Sequence, residues 1–188
     1  MILDGKRPVQ VLMFSILAVL IVTGLSLAIV LIPGSSGFSF SSGAHFGFPS
    51  QQQASNSLGV SVTKSQVVSR SNIQQSGYFI RKAEAVFYNS TSIVAMATEF
   101  QLNSSQSAST LSGALTNAYS GQSSANASSF RYSSVNVVVL QIATGGTQIY
   151  VVAFSSGSMF CYAQIYVYTA NSNFSTKAFA TAFVSSVV

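Results

Sequence analysis

The sequence predicts an α+β chain: one N-terminal transmembrane helix, then an antiparallel sheet of two ββα-like halves with two helices on one face. Three observations carry this. Residues 11–32 contain no charged side chain. Downstream, runs with apolar residues at period two are separated by short Ser- or Gly-rich breaks, the pattern of strands joined by tight turns. Two segments with apolar residues at helical spacing each follow such a pair of runs. Strands interleaved with helices in this order indicate an α+β domain.

The first element is residues 11–32, VLMFSILAVLIVTGLSLAIVLI. At the rise of an α-helix this segment is about 33 Å long, against a hydrocarbon core of about 30 Å. A signal-peptide core is about 7–15 residues and precedes a small-residue cleavage site. This run is longer and ends at Pro33-Gly34 without an A-x-A pattern, so a retained signal-anchor is expected. Lys6 and Arg7 precede it and the next basic residue is Lys64. The excess of positive charge on the cytoplasmic side then places residues 1–10 in the cytoplasm and everything after the helix outside the cell membrane. A pilin-like leader processed near Lys6-Arg7, with the helix packing in a filament core, is the alternative; late cleavage would release the domain. Gly24 and Ala28 have a spacing that lets helices approach, but small residues are ordinary in membrane helices.

Residues 33–57, PGSSGFSFSSGAHFGFPSQQQASNS, read as a flexible linker with a reach of about 25–30 Å. Two F-x-F pairs interrupt it, Phe38/Phe40 and Phe46/Phe48. Exposed aromatics on a tether need a resting place: the membrane interface, the domain itself, or the sheet edge of a neighbour. His45, the only histidine, reads as a polar linker residue, since a metal site needs three or four convergent ligands.

The extracytoplasmic domain spans 58–188. In its first half, residues 78–88 and 93–102 are strands joined by the turn Asn89-Ser90-Thr91-Ser92. Asn103 or Ser104 then caps a helix whose face is Ala108, Leu111, Leu115, Ala118 and Tyr119, with Gly121 as its stop. In the second half, 135–143 and 148–154 are strands around Gly145-Gly146. A turn at 155–158 leads to the strand 159–168. Asn171 or Asn173 caps the last helix, with Phe179, Phe183 and Val187 on one face.

Chemistry is sparse. Only 6% of residues are charged, against about 25% in average soluble domains. The formal charge of +5 comes from scattered cations, whereas nucleic-acid binding needs them clustered, so no nucleic-acid partner is expected. Beyond the apolar segment the carboxylates are Glu84 and Glu99. With Lys82 nearby, they read as a surface cross-strand ion pair rather than a glycosidase-like carboxylate pair. Cys161, the single cysteine, excludes an internal disulfide and reads as a small buried hydrophobe. The serines form no nucleophile elbow and no S-x-x-K set. No catalytic residue, cofactor-binding pattern or metal site is expected, and hence no enzyme.

Four Asn-x-Ser/Thr sequons, at Asn89, Asn103, Asn126 and Asn173, fall in expected turns, loops or caps and are glycosylation candidates. Their number is close to chance, so placement carries the reading. Tyr162, Gln164, Tyr166 and Tyr168 alternate on the last strand. If Cys161, Ala163, Ile165 and Val167 meet the helices, Tyr162, Tyr166 and Tyr168 form an outward stripe suited to a protein or sugar; otherwise the stripe is core. The scarcity of carboxylates leaves little to lose on acidification and points to an acidic outer environment. The function expected is a membrane-anchored extracytoplasmic interaction or structural protein, an accessory subunit of a surface or membrane complex. Its partners would be the lipid bilayer, a protein or a second copy of itself, and glycans.

Overall fold

The computed structural model describes residues 46–75, 78–120, 125–144, 146–169 and 173–188. Their order is α1 (Gln51–Leu58), β1 (Thr63–Lys64), β2 (Val68–Gln75), β3 (Tyr78–Asn89), β4 (Ile93–Leu102), α2 (Ser105–Ser120), β5 (Ala125–Tyr132), β6 (Val135–Thr144), β7 (Thr147–Ser156), β8 (Met159–Val167) and α3 (Thr176–Val187). The predicted α+β class with an antiparallel sheet is what forms: eight strands and three helices. The expected N-terminus at 1–10, the membrane helix at 11–32, Phe38/Phe40 and His45 lie outside the described residues. Among the described residues no helix is long and apolar enough to cross a membrane.

The strands follow the order β1-β3-β4-β8-β7-β6-β5, with β2 also paired to β3. Every pairing is antiparallel. Short turns set the hairpins. Ser90 Oγ accepts the main-chain N–H of Ile93 at 2.9 Å and closes β3 onto β4. Gly157, at φ 55°, turns β7 into β8, a conformation that side chains with a Cβ resist. The central hairpins, β3–β4 and β8–β7, meet through β4 and β8, where Thr98 pairs with Tyr162 and Glu99 with Cys161.

The helices correct the expectation of two on one face. Hairpins joined antiparallel at the centre are related by an axis perpendicular to the sheet, and a full repeat would send both following helices to the same side. Instead α2 lies over Phe100, Phe160 and Tyr162, whereas α1 and α3 cover Ala97, Phe154, Cys161 and Ala163. β4 and β8 are buried along nearly their whole length, so both faces of the sheet centre need a cover. The symmetry of the hairpins therefore stops short of the helices.

Ser104 caps α2, as one of the two expected residues, by accepting the Ser107 N–H at 3.1 Å. Ala108, Leu111 and Leu115 pack beneath it, while the side chains of Ala118 and Tyr119 and all of Gly121 lie outside the described residues. α3 is capped by Ser175, which accepts the Ala178 N–H at 3.1 Å, and not by Asn171 or Asn173. Phe179, Phe183 and Val187 form its buried face as expected.

Four elements were not foreseen. α1 occupies the end of the segment read as a flexible linker. Ser50 and Gln53 form a reciprocal capping box at its start, and Gly59, at φ 71°, closes its end. Ala54 and Leu58 bury against the core, so this stretch packs with the sheet and is not a free tether. β1 is only two residues long. β2 and β5 lie at the borders of the sheet and are Ser-, Asn- and Gln-rich, which hides them from a search for apolar alternation.

Candidate functional site

Residues 46–49, Phe-Gly-Phe-Pro, run as a strap over the sheet face that carries α1 and α3. A sequence so short, with one glycine and one proline, forms no helix or strand by itself; side chains from four elements hold its main chain. Tyr88 of β3 donates its hydroxyl to Pro49 O at 2.7 Å, and Lys64 of β1 donates Nζ to the same oxygen at 2.8 Å. Ser186 of α3 donates to Gly47 O at 2.8 Å. Glu99 of β4 accepts the Gly47 N–H at 3.0 Å through Oε2 and 3.3 Å through Oε1. Ring contacts hold the strap's side chains. Phe48 stacks on Phe183 with centroids 6.1 Å apart, and the Lys82 ammonium lies 4.4 Å from the Phe46 ring centroid. Of the resting places considered for the second F-x-F pair, the domain itself is the one taken.

Glu99 is the unusual member. It is 0% exposed. Burial pushes its carboxyl up to about 8; the Gly47 N–H and the charges of Lys64 and Lys82 oppose that rise, and Glu84 adds to it. The two lysines are committed elsewhere, Lys64 to Pro49 O and Lys82 to an ion pair with Glu84. Burial lowers the Lys64 ammonium, with Glu99 acting against it. Burial also pushes the Tyr88 phenol and the Cys161 thiol well up, and in both Glu99 adds to the effect.

The expected cross-strand ion pair is not the one that forms. Lys82 and Glu84 pair on one strand, but Glu99 is buried and its register partner is Glu84, a like charge. An acidic residue inside the mostly apolar strand 93–102 was the available signal in the sequence. Nothing in the sequence pointed to Gly47 or Lys64 as its neighbours. Cys161 is buried as expected, directly across from Glu99.

The tyrosine stripe is not one exposed face. Tyr162 is 2% exposed and stacks on Phe100 and Phe160 beneath α2, with centroids at 5.9 and 6.0 Å. Tyr166 is half-buried, its hydroxyl 3.4 Å from Gln164 Oε1, and Tyr168 is 53% exposed. Of the two alternatives for this face, outward stripe or core, Tyr162 is core because α2 covers it. Asn89, Asn103, Asn126 and Asn173 are all exposed. Asn126 lies in β5 and Asn89 ends β3, so those two sit on strands rather than in loops.

The fold and the strap define an α+β domain with an antiparallel sheet covered on both faces and an N-terminal strap clasped to one of them. No family model matches the chain, and no curated protein matches it by sequence. Among solved structures, the chain is similar to the extracellular domain of PknH from Mycobacterium tuberculosis, with a TM-score of 0.52 at 5% identity, over 72% of this chain and 90% of that one. At that identity the likeness is one of fold.

Proposed function

We propose that the chain is a membrane-tethered extracytoplasmic interaction protein, an accessory subunit of a surface or membrane complex. One observation carries the reading: the uncharged apolar run at 11–32 stands directly ahead of a domain with the fold of a domain described as extracellular. Lys6 and Arg7 before that run favour a cytoplasmic N-terminus. The four exposed sequon asparagines are compatible with glycans on the outer surface. The reading assigns no catalytic role; the polar groups under the strap engage main-chain atoms of the chain itself.

The test is protease treatment of intact cells, followed by membrane fractionation and mass measurement of the mature N-terminus. Cleavage of the C-terminal portion from outside, with the N-terminal fragment kept in the membrane, supports the proposal. A C-terminal portion protected in intact cells and found in the cytosol overturns it. Loss of the residues before the apolar run would point instead to filament-type processing.

A further inference from the structure

The strap and Glu99 depend on each other. The carboxyl has no exposure while the strap is in place, and the Gly47 N–H that it accepts belongs to the strap. The groups facing it come from three strands. β1 brings Lys64; β3 brings Lys82, Glu84 and Tyr88; β8 brings Cys161. The strap and α1 carry no titratable side chain. α3 brings Lys177, whose ammonium lies over the Phe130 ring at 5.5 Å. An ionised Glu99 would therefore be a buried anion with one main-chain N–H, with the nearby ammoniums bonded to other groups and Glu84 in the paired register position. A neutral carboxyl avoids the cost of a buried charge.

We propose that residues 46–49 and Glu99 form a proton-controlled latch: the strap closes on the sheet when the Glu99 carboxyl is protonated and is released as that proton is lost. Release gives the carboxyl water and returns it to the ordinary range of a glutamate, so closure takes up one proton. It also bares a cleft lined by Glu99, Tyr88, Lys64 and Ser186, each of which engages a main-chain atom of the strap in the closed state. This inference goes beyond the membrane reading and stands without it.

Hydrogen exchange of the full-length chain in detergent micelles, followed at the Gly47 amide from pH 5 to pH 8 and corrected for intrinsic exchange, tests the latch. Strap protection should fall about tenfold per pH unit across most of that range, the signature of one proton bound on closing. It should also be well below that of amides in the middle of β6 and β7, because the strap opens without global unfolding. In Glu99→Gln, a neutral side chain that still accepts the Gly47 N–H, strap protection should be independent of pH. A pH-independent strap in the wild type overturns the proposal. So does strap protection equal to that of β6 and β7 at every pH, or an unchanged slope in Glu99→Gln. The wild-type pH slope and the comparison of strap with β6 and β7 need no variant, so together they test the latch even if Glu99→Gln does not fold.

Discussion

Glu99 and Gly47 are 52 positions apart in the chain, yet the buried carboxyl of one accepts the main-chain N–H of the other at 3.0 Å. This bond ties the beginning of the domain to the centre of its sheet. It is also the point at which pH acts on the fold.

The sign of that action follows from the direction of the shift. Glu99 is raised from an ordinary value of 4.5 to about 8 in the folded chain. A carboxyl held higher in the folded state than in the unfolded one contributes its full stability below the unfolded value. That stability is lost as pH rises toward the folded value, at about 1.4 kcal/mol per pH unit. The full-length chain in detergent should therefore melt at a higher temperature at pH 4.5 than at pH 8, the reverse of ordinary acid denaturation. Glu99→Gln should remove most of this difference. A melting temperature that rises from pH 4.5 to pH 8 in the wild type would show that another group dominates.

Tyr162 and Tyr168 should separate cleanly. Tyr162→Ala removes a ring packed on Phe100 and Phe160 under α2 and should cost about 3–5 kcal/mol in urea denaturation. Tyr168→Ala, at an exposed position, should change stability by no more than about 0.5 kcal/mol.

Thr98 offers a gain. Its hydroxyl is buried and finds no hydrogen-bond partner among the described residues. Thr98→Val keeps the branched shape and removes a polar atom whose desolvation is uncompensated, so it should stabilise the chain by about 1 kcal/mol. A loss of stability in the same urea titration would mean that the hydroxyl is satisfied.

Gly59 and Gly157 both have positive φ, at 71° and 55°, but only one is crowded. A Cβ on Gly59 would stand 2.7 Å from the main-chain carbon of Asn173, while a Cβ on Gly157 meets nothing within 4 Å. Gly157→Ala should cost about 1 kcal/mol for backbone strain alone. Gly59→Ala should cost clearly more, because Asn173 must move as well; equal losses by chemical denaturation would show that the approach relaxes freely.

The tether of the strap should be sensitive to single hydrogen bonds. Tyr88→Phe deletes the 2.7 Å bond to Pro49 O, leaving Lys64 as the other donor to that oxygen. A loss of about 1 kcal/mol is expected in urea denaturation, with unchanged secondary structure by circular dichroism.

Residues 78–102 and 135–167 were legible because their strands alternate or run apolar between Ser and Gly breaks, and local sterics act on that pattern wherever the segment ends up. α2 and α3 were legible from Leu, Phe and Ala at helical spacing. α1 was not, because QQQASNSL has only Ala54 and Leu58 to bury and resembles the polar tether before it. β2 and β5 were hidden for the same reason: a border strand needs little apolar surface, and its main-chain pairing leaves no mark on composition.

By itself the sequence determined the α+β class, the strands of the sheet centre, two of the helices and the burial of Cys161, since each depends on neighbours within a few residues. Only the tertiary structure decided which face each helix covers, that Tyr162 is core, and that Phe46 and Phe48 rest on the domain. It alone decided that Glu99 is buried beneath Gly47. Those outcomes depend on contacts between segments that are not adjacent in the chain, and local periodicity carries no information about which other segment arrives to exclude water.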